Sequence, residues 1–217
     1  MPPAFPSLDP VQIAALAAAL GWASGLRLYL VLFLVGLVDR LGWFPMPGSL
    51  HVLSHVFVLF ASGFMVAVEF LADKIPWVDS LWDAVHTFIR IPAGALLAAQ
   101  AFGSFDTNAS EAGMLAVGIL GGTLAAGAHL AKSGTRALAN TSPEPFSNIG
   151  LSLGEDVLVP GGLALAVLHP VVFLVLLAIV VIAIAWVVPK LWRLARRGVR
   201  RLLGREPRAL PHEATRA

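Results

Sequence analysis

The stretch EFLADKIPWVDSLWDAVHTFIR, residues 69–90, sets Glu69, Asp73, Lys74, Asp79, Asp83, His86 and Arg90 between segments apolar enough to span a lipid bilayer. Charge at membrane depth is costly and is kept where it faces a bundle interior or a water-filled cavity. Asp79, Asp83, His86 and Arg90 stand at i, i+4, i+7 and i+11, which puts all four on one face of a helix. Glu69 and Asp73 form a further i, i+4 pair just before them, and the turn from Lys74 to Val78 is expected to fold the two carboxylate pairs toward each other.

Composition extends this reading to the whole chain. Of 217 residues 58% are hydrophobic and only 13% are charged, against roughly 25% charged in a soluble domain. The mean hydropathy is +0.81. The expected fold is all-α, a polytopic helical membrane bundle. About 20 apolar residues cover one crossing, and Pro, Gly and charge mark the loops. That rule predicts about six transmembrane helices, at 11–38, 51–72, 80–102, 111–131, 150–168 and 170–189. His169-Pro170 is the expected tight turn between the last two, because the residue before proline is pushed out of helical geometry.

Three regions follow: an N-terminal segment at 1–10, a transmembrane domain at 11–189 and a basic tail at 190–217. Eight of the fifteen Lys and Arg residues, from Lys190 to Arg208, follow the last apolar run. The basicity therefore belongs to a juxtamembrane helix, which the positive-inside rule assigns to the cytoplasm, and not to a nucleic-acid surface. Six crossings would then put both termini in the cytoplasm, Lys132 and Arg136 inside, and Asp106 and Glu111 outside. No Lys or Arg precedes the first apolar run, so the N-terminus is expected to be retained. Cysteine is absent, which excludes disulfides and thiolate chemistry.

An internal echo runs through the chain. Ser24-Gly25-Leu26-Arg27 returns as Ser133-Gly134-Thr135-Arg136, each followed by a Pro-x-Pro: Pro45-Met46-Pro47, then Pro143-Glu144-Pro145. Each half goes on to a glutamate near an aspartate, Glu69 with Asp73 and Glu155 with Asp156. Two inverted three-helix repeats, about 11–102 and 111–189, would explain the order. Ser24-Gly25 and Ser133-Gly134 are also sensible places for a helix to break, since glycine tolerates the distortion and serine or arginine can satisfy freed backbone groups.

Glu69, Asp73, Asp79, Asp83, His86 and Glu155 are the candidate ion-binding set, with Arg27, Arg90 and Arg136 as counter-charges or anion clamps. Carboxylates with an imidazole can relay protons or ligate a cation, which makes Asp79, Asp83 and His86 the candidate ligands of a divalent metal ion. His129, Lys132 and Arg136 form a second stripe, at i, i+3 and i+7, able to oppose the acids or hold an anion. The tryptophans, Trp22, Trp43, Trp77, Trp82, Trp186 and Trp192, read mostly as interfacial anchors. Neither a His-Glu-x-x-His zinc pattern nor a Gly-x-Ser-x-Gly elbow occurs.

The run Glu69-Phe-Leu-Ala-Asp-Lys-Ile-Pro-Trp-Val-Asp79, then Asp83 and Pro92-Ala93-Gly94-Ala95, with Ser24-Gly25-Leu26-Arg27 ahead of it, resembles a family of small bacterial multi-span membrane proteins catalogued as domain of unknown function 4126. The resemblance covers most of 15–190. It implies a compact helical membrane fold in a bacterial envelope and carries no activity with it. Members of that family commonly have neutral residues where this chain has His86 and Arg90, and lack the charges of Arg136 and Glu144. It therefore favours Glu69, Asp79, Asp83, Arg27 and Glu155 as the shared polar core, with His86 and Arg90 a specialisation of this chain.

The residues lead to a small transporter or channel of the bacterial inner membrane. It would be multi-pass, C-terminus cytoplasmic, surrounded by membrane lipids and homo-oligomeric, and would pass a cation or a proton-coupled substrate through the acidic site. The alternatives are a metal-dependent intramembrane enzyme acting on a lipid or lipid-linked phosphate, and a scaffold whose charges merely pair with one another.

Overall fold

The computed structural model describes residues 8–202 apart from Pro45, Pro47, Pro76, Thr107 and 141–144. The described residues contain helices and turns and no strand. The six α-helices are α1 (Pro10–Arg40), α2 (Val56–Ala72), α3 (Val78–Phe105), α4 (Glu111–Ala139), α5 (Pro145–Leu168) and α6 (Pro170–Leu202), with a 3-10 turn at Gly48–Ser54 ahead of α2. Five helices are long and apolar enough to cross a membrane, or six if the 3-10 turn and α2, bent by 67°, form one broken span. This is a helical membrane bundle. Residues up to Val181 form one compact unit; the second unit begins at Ile182, where Lys190 Nζ lies 2.9 Å over the Trp186 ring.

α1 starts on a built cap. Asp9 accepts from the Gln12 amide at 2.8 Å while the Gln12 side chain accepts from the Asp9 amide, with Pro10 at the first helical position. The helix does not then run straight. Arg27 has φ −143° and ψ 74°, an extended conformation that interrupts the ladder. Before that point Pro10 and Ile13 lie with Phe102 and Asp106, and Gly21 meets Gly94. After it Tyr29 packs on His86, and Phe44 has already returned to Phe105. The two halves of α1, 10–26 and 28–40, thus run in opposite senses along α3. The predicted first crossing is a helical hairpin with Arg27 at its tip.

The hairpin corrects two expectations. Its first half begins at the same end of the bundle as Asp106, whereas a six-crossing count places the N-terminus and Asp106 on opposite sides. The other concerns the break: it falls at Arg27, two residues beyond Gly25, while α4 is continuous through Ser133 and Gly134. The predicted connection between 131 and 150 shrinks accordingly, because α4 continues to Ala139 and α5 starts at Pro145.

Small residues set the core spacing. A methyl group on Gly21 would come within 2.7 Å of Gly121 Cα, and one on Gly25 would strike the Ala125 carbonyl. Glycine is required at both positions because backbone meets backbone, the close approach that membrane helices use in place of hydrophobic drive. α3 and α4 pack antiparallel over Gly94, Ala95 and Ala98 against Gly121 and Gly122. Trp22, expected at an interface, is buried at 8% exposure and meets Phe173 edge-on; Trp82 stacks on His86. Trp43, Trp77 and Trp186 are exposed as anchors should be.

Candidate functional site

Breaking a helix inside a bundle frees backbone carbonyls that must find other donors. Here α4 supplies them: Lys132 Nζ donates to the Leu26 carbonyl at 3.1 Å, and His129 faces the Gly25 carbonyl. The same extended residue swings the Arg27 guanidinium into the bundle, where it is 2% exposed. There it meets Asp73 and Asp156, each at 3.0 Å, and donates to the Ser152 hydroxyl at 2.8 Å and the Ser152 carbonyl at 3.1 Å.

Two carboxylates form the hub beside it. Asp73 Oδ2 receives Arg27 and Lys132 at 3.0 Å and Arg136 at 3.5 Å; Glu155 Oε2 receives Lys132 at 3.1 Å, Arg136 at 3.3 Å and Arg27 at 3.5 Å. Arg136 also closes the end of α2 through the Asp73 carbonyl at 2.6 Å and approaches Asp79 at 4.0 Å. The turn between α2 and α3 therefore folds the two carboxylate pairs toward each other, as their spacing predicts.

A second cluster lies beside the hub. Arg90, fully buried, bridges Glu69 and Asp83, the latter at 2.8 Å, and donates to His129 Nδ1 at 3.2 Å. Lys132, 3.8 Å from Asp83, links the clusters. His86 stands apart: Nδ1 bonds the Trp82 carbonyl at 2.8 Å and Nε2 lies 3.1 Å from the Tyr29 hydroxyl. Asp79 takes Asn140 Nδ2 at 3.1 Å and the Ser80 amide at 2.6 Å.

The structure thus brings Glu69, Asp73, Asp79, Asp83 and Glu155 together with Arg27, Arg90 and Arg136, but not as an open acidic site. Every one of these acids has a resident cation within 4.0 Å. The proposed metal ligands do not converge either: Asp79, Asp83 and His86 turn to Asn140, Arg90 and Tyr29, and among the described residues no three His, Asp or Glu side chains could hold a metal ion. Ser133, read as a break residue, instead lies with its hydroxyl 3.4 Å from Asp83.

The site list drawn from the sequence missed Lys132, Asp156, Asn140, Asn148, Ser152, Tyr29 and Thr87. Lys132 had a signal, the His129-Lys132-Arg136 stripe, and Asn148, Ser152 and Glu155 also share a face at i, i+4 and i+7. Of the echoed motifs, Pro45, Pro47, Pro143 and Glu144 lie outside the described residues, but Arg27 and Arg136 do reach the same two carboxylates. The likeness stops at side chains: one arginine breaks its helix and the other does not.

The family model for a domain of unknown function, DUF4126, matches residues 14–190. The chain belongs to that family. No curated protein and no solved structure matches it. The DUF4126 match runs from the first half of α1 into α6 and so contains every residue of the network. Arg90 and Arg136, which the resemblance set aside from the shared core, are integral to the network in this chain.

Proposed function

We propose that the protein is a small ion transporter or channel whose site is the network at the tip of the α1 hairpin, with a proton or a proton-coupled cation as the guest. The charge count carries this reading. Six carboxylates, Glu69, Asp73, Asp79, Asp83, Glu155 and Asp156, face four buried cations, Arg27, Arg90, Lys132 and Arg136, and one at the rim, Lys74, whose Nζ is 3.4 Å from Ser152 Oγ. One negative charge is left unmatched in a bundle interior, where an uncompensated charge costs several kcal/mol. A mobile cation or proton supplies the balance. The broken helix supports the same reading, since interrupted helices at membrane depth characteristically build transport sites.

Residence in a bacterial inner membrane with the basic tail, Lys190 to Arg208, in the cytoplasm accords with the positive-inside rule. The outward face, with Phe57, Phe60, Phe64 and Phe88 all more than 65% exposed, suits lipid or a second copy of the chain. An enzyme working on lipid headgroups would need acids opening sideways to the bilayer, and Glu69, Asp73, Asp79 and Asp83 are at most 2% exposed. The scaffold reading has a specific observation in its favour, the resident cation within 4.0 Å of every carboxylate.

Reconstitution into proteoliposomes separates the two. Ion uptake and internal pH should respond to imposed gradients, and Glu69→Gln and Asp83→Asn should each cut the flux by about tenfold or more, the loss expected when a charge of the network that holds the guest is removed. Uptake of a panel of ions that is unchanged in both Asp79→Asn and Asp83→Asn would leave the structural network as the better account.

A further inference from the structure

Arg90 is held in a way that leaves it a second arrangement. Its Nη2 donates to Glu69 Oε1, and its Nη1 donates to Asp83 Oδ1 at 2.8 Å and to His129 Nδ1 at 3.2 Å. Its Nε and the other glutamate oxygen, Glu69 Oε2, are both buried with no hydrogen-bond partner among the described residues. A guanidinium can clasp a carboxylate with two parallel N–H donors. A rotation of Arg90 about its existing bond to Glu69 would join the two orphaned atoms and withdraw Nη1 from Asp83 and His129.

One placement of the hydrogens satisfies Thr87, His129 and Arg90 together. With its hydrogen on the Asp83 carbonyl at 2.9 Å, Thr87 Oγ1 accepts from His129 Nε2 at 2.6 Å. Nε2 therefore carries a hydrogen, and Nδ1, facing an arginine that can only donate, is a bare lone pair. In that placement the ring is neutral, and a second proton goes to Nδ1, on the side Arg90 now occupies.

We infer that His129 is the residue that loads the proton and that Arg90 is the two-position switch its protonation throws; the inference rests on the ion-transport reading for its purpose. Protonation at Nδ1 expels Arg90 Nη1, Arg90 closes side-on over Glu69, and Asp83 is released to face the imidazolium. The loaded ring also brings the cations to six against six carboxylates. The groups facing His129 are Arg90, Asp83 and Thr87 from α3, Lys132 from its own helix and the Gly25 carbonyl at the tip of α1; Glu69 of α2 acts through Arg90.

Nitrogen-15 histidine NMR of the full chain in lipid nanodiscs tests this, with the His129 signals assigned by their loss in His129→Gln. The expected result is the Nε2–H tautomer near pH 8, becoming doubly protonated on titration to about pH 5, with the Arg90 guanidinium signals moving at the same midpoint. Asp83→Asn should lower that midpoint by about one pH unit or more, roughly tenfold in proton affinity. An Nδ1–H tautomer near pH 8, a ring that stays neutral throughout, or an Asp83→Asn midpoint that does not fall overturns the inference, and the wild-type spectra decide the first two without any variant. Titration as expected in a protein that moves no ion would keep the switch and remove the transport reading.

Discussion

Asp73 shows how much of the network rests on single side chains. It is fully buried, and one of its oxygens receives Arg27, Lys132 and Arg136 together. Asp73→Asn nearly preserves the shape and removes the charge, leaving the three buried cations to Glu155, the partly buried Asp156 and the longer contacts to Asp83 and Asp79. Removing one partner of a buried ion network costs about 3–5 kcal/mol, so the melting temperature in detergent should fall by roughly 6–20 °C. Asn substitution of the half-buried Asp106, which belongs to no ion pair among the described residues and whose Oδ1 an asparagine can reproduce toward the Asn108 amide, should barely move it; equal melting of the two variants would show that the hub does not hold the bundle. The faces that build the site were legible, because i, i+4 and i+7 spacing projects Asp79, Asp83, His86 and Arg90 from α3 and His129, Lys132 and Arg136 from α4. Which cation meets which acid was not. That depends on register between helices, and polar uncharged residues such as Asn148 and Ser152 stand out little in a helix pattern.

At the level of the element, one local sequence gives two backbones. Ser24-Gly25-Leu26-Arg27 ends in a reversal, and Ser133-Gly134-Thr135-Arg136 stays helical. Within the four residues only Leu26 against Thr135 distinguishes them. The difference is tertiary: the Leu26 carbonyl freed at Arg27 finds Lys132, and Gly25 lies against the α4 backbone at Ala125, whereas Gly134 has open space around it. Gly25→Ala should therefore destabilise by about 1–3 kcal/mol, the usual cost of overpacking against atoms that cannot move aside. Gly134→Ala, at an exposed helical position, should be neutral or stabilise by up to about 1 kcal/mol. Thermal unfolding of the pair checks the assignment, and a Gly25→Ala protein as stable as the parent would mean that the two helices do not meet there.

For the whole molecule the reversal decides sidedness. Composition identified a helical membrane bundle correctly, yet counting apolar runs treats each as one crossing, and a hairpin counted so reverses the end of the bundle assigned to Pro10 relative to Asp106. The contacts put Pro10 with Asp106 and Phe44 with Phe105, so both ends of α1 share an end of the bundle with the α3–α4 connection. The α2–α3 turn lies at the other end, beside the end of α4 through Asp79 and Asn140. Because the chain contains no cysteine, single substitutions can be read without background. Asp9→Cys, Trp43→Cys and Asn108→Cys should react with a membrane-impermeant maleimide from one side, and Ile75→Cys from the other. A six-crossing chain would pair position 9 with position 75 instead, opposite positions 43 and 108. Position 9 is therefore decisive, and its labelling together with position 75 would remove the hairpin and, with it, the reason for Arg27 to carry an extended backbone inside the bundle.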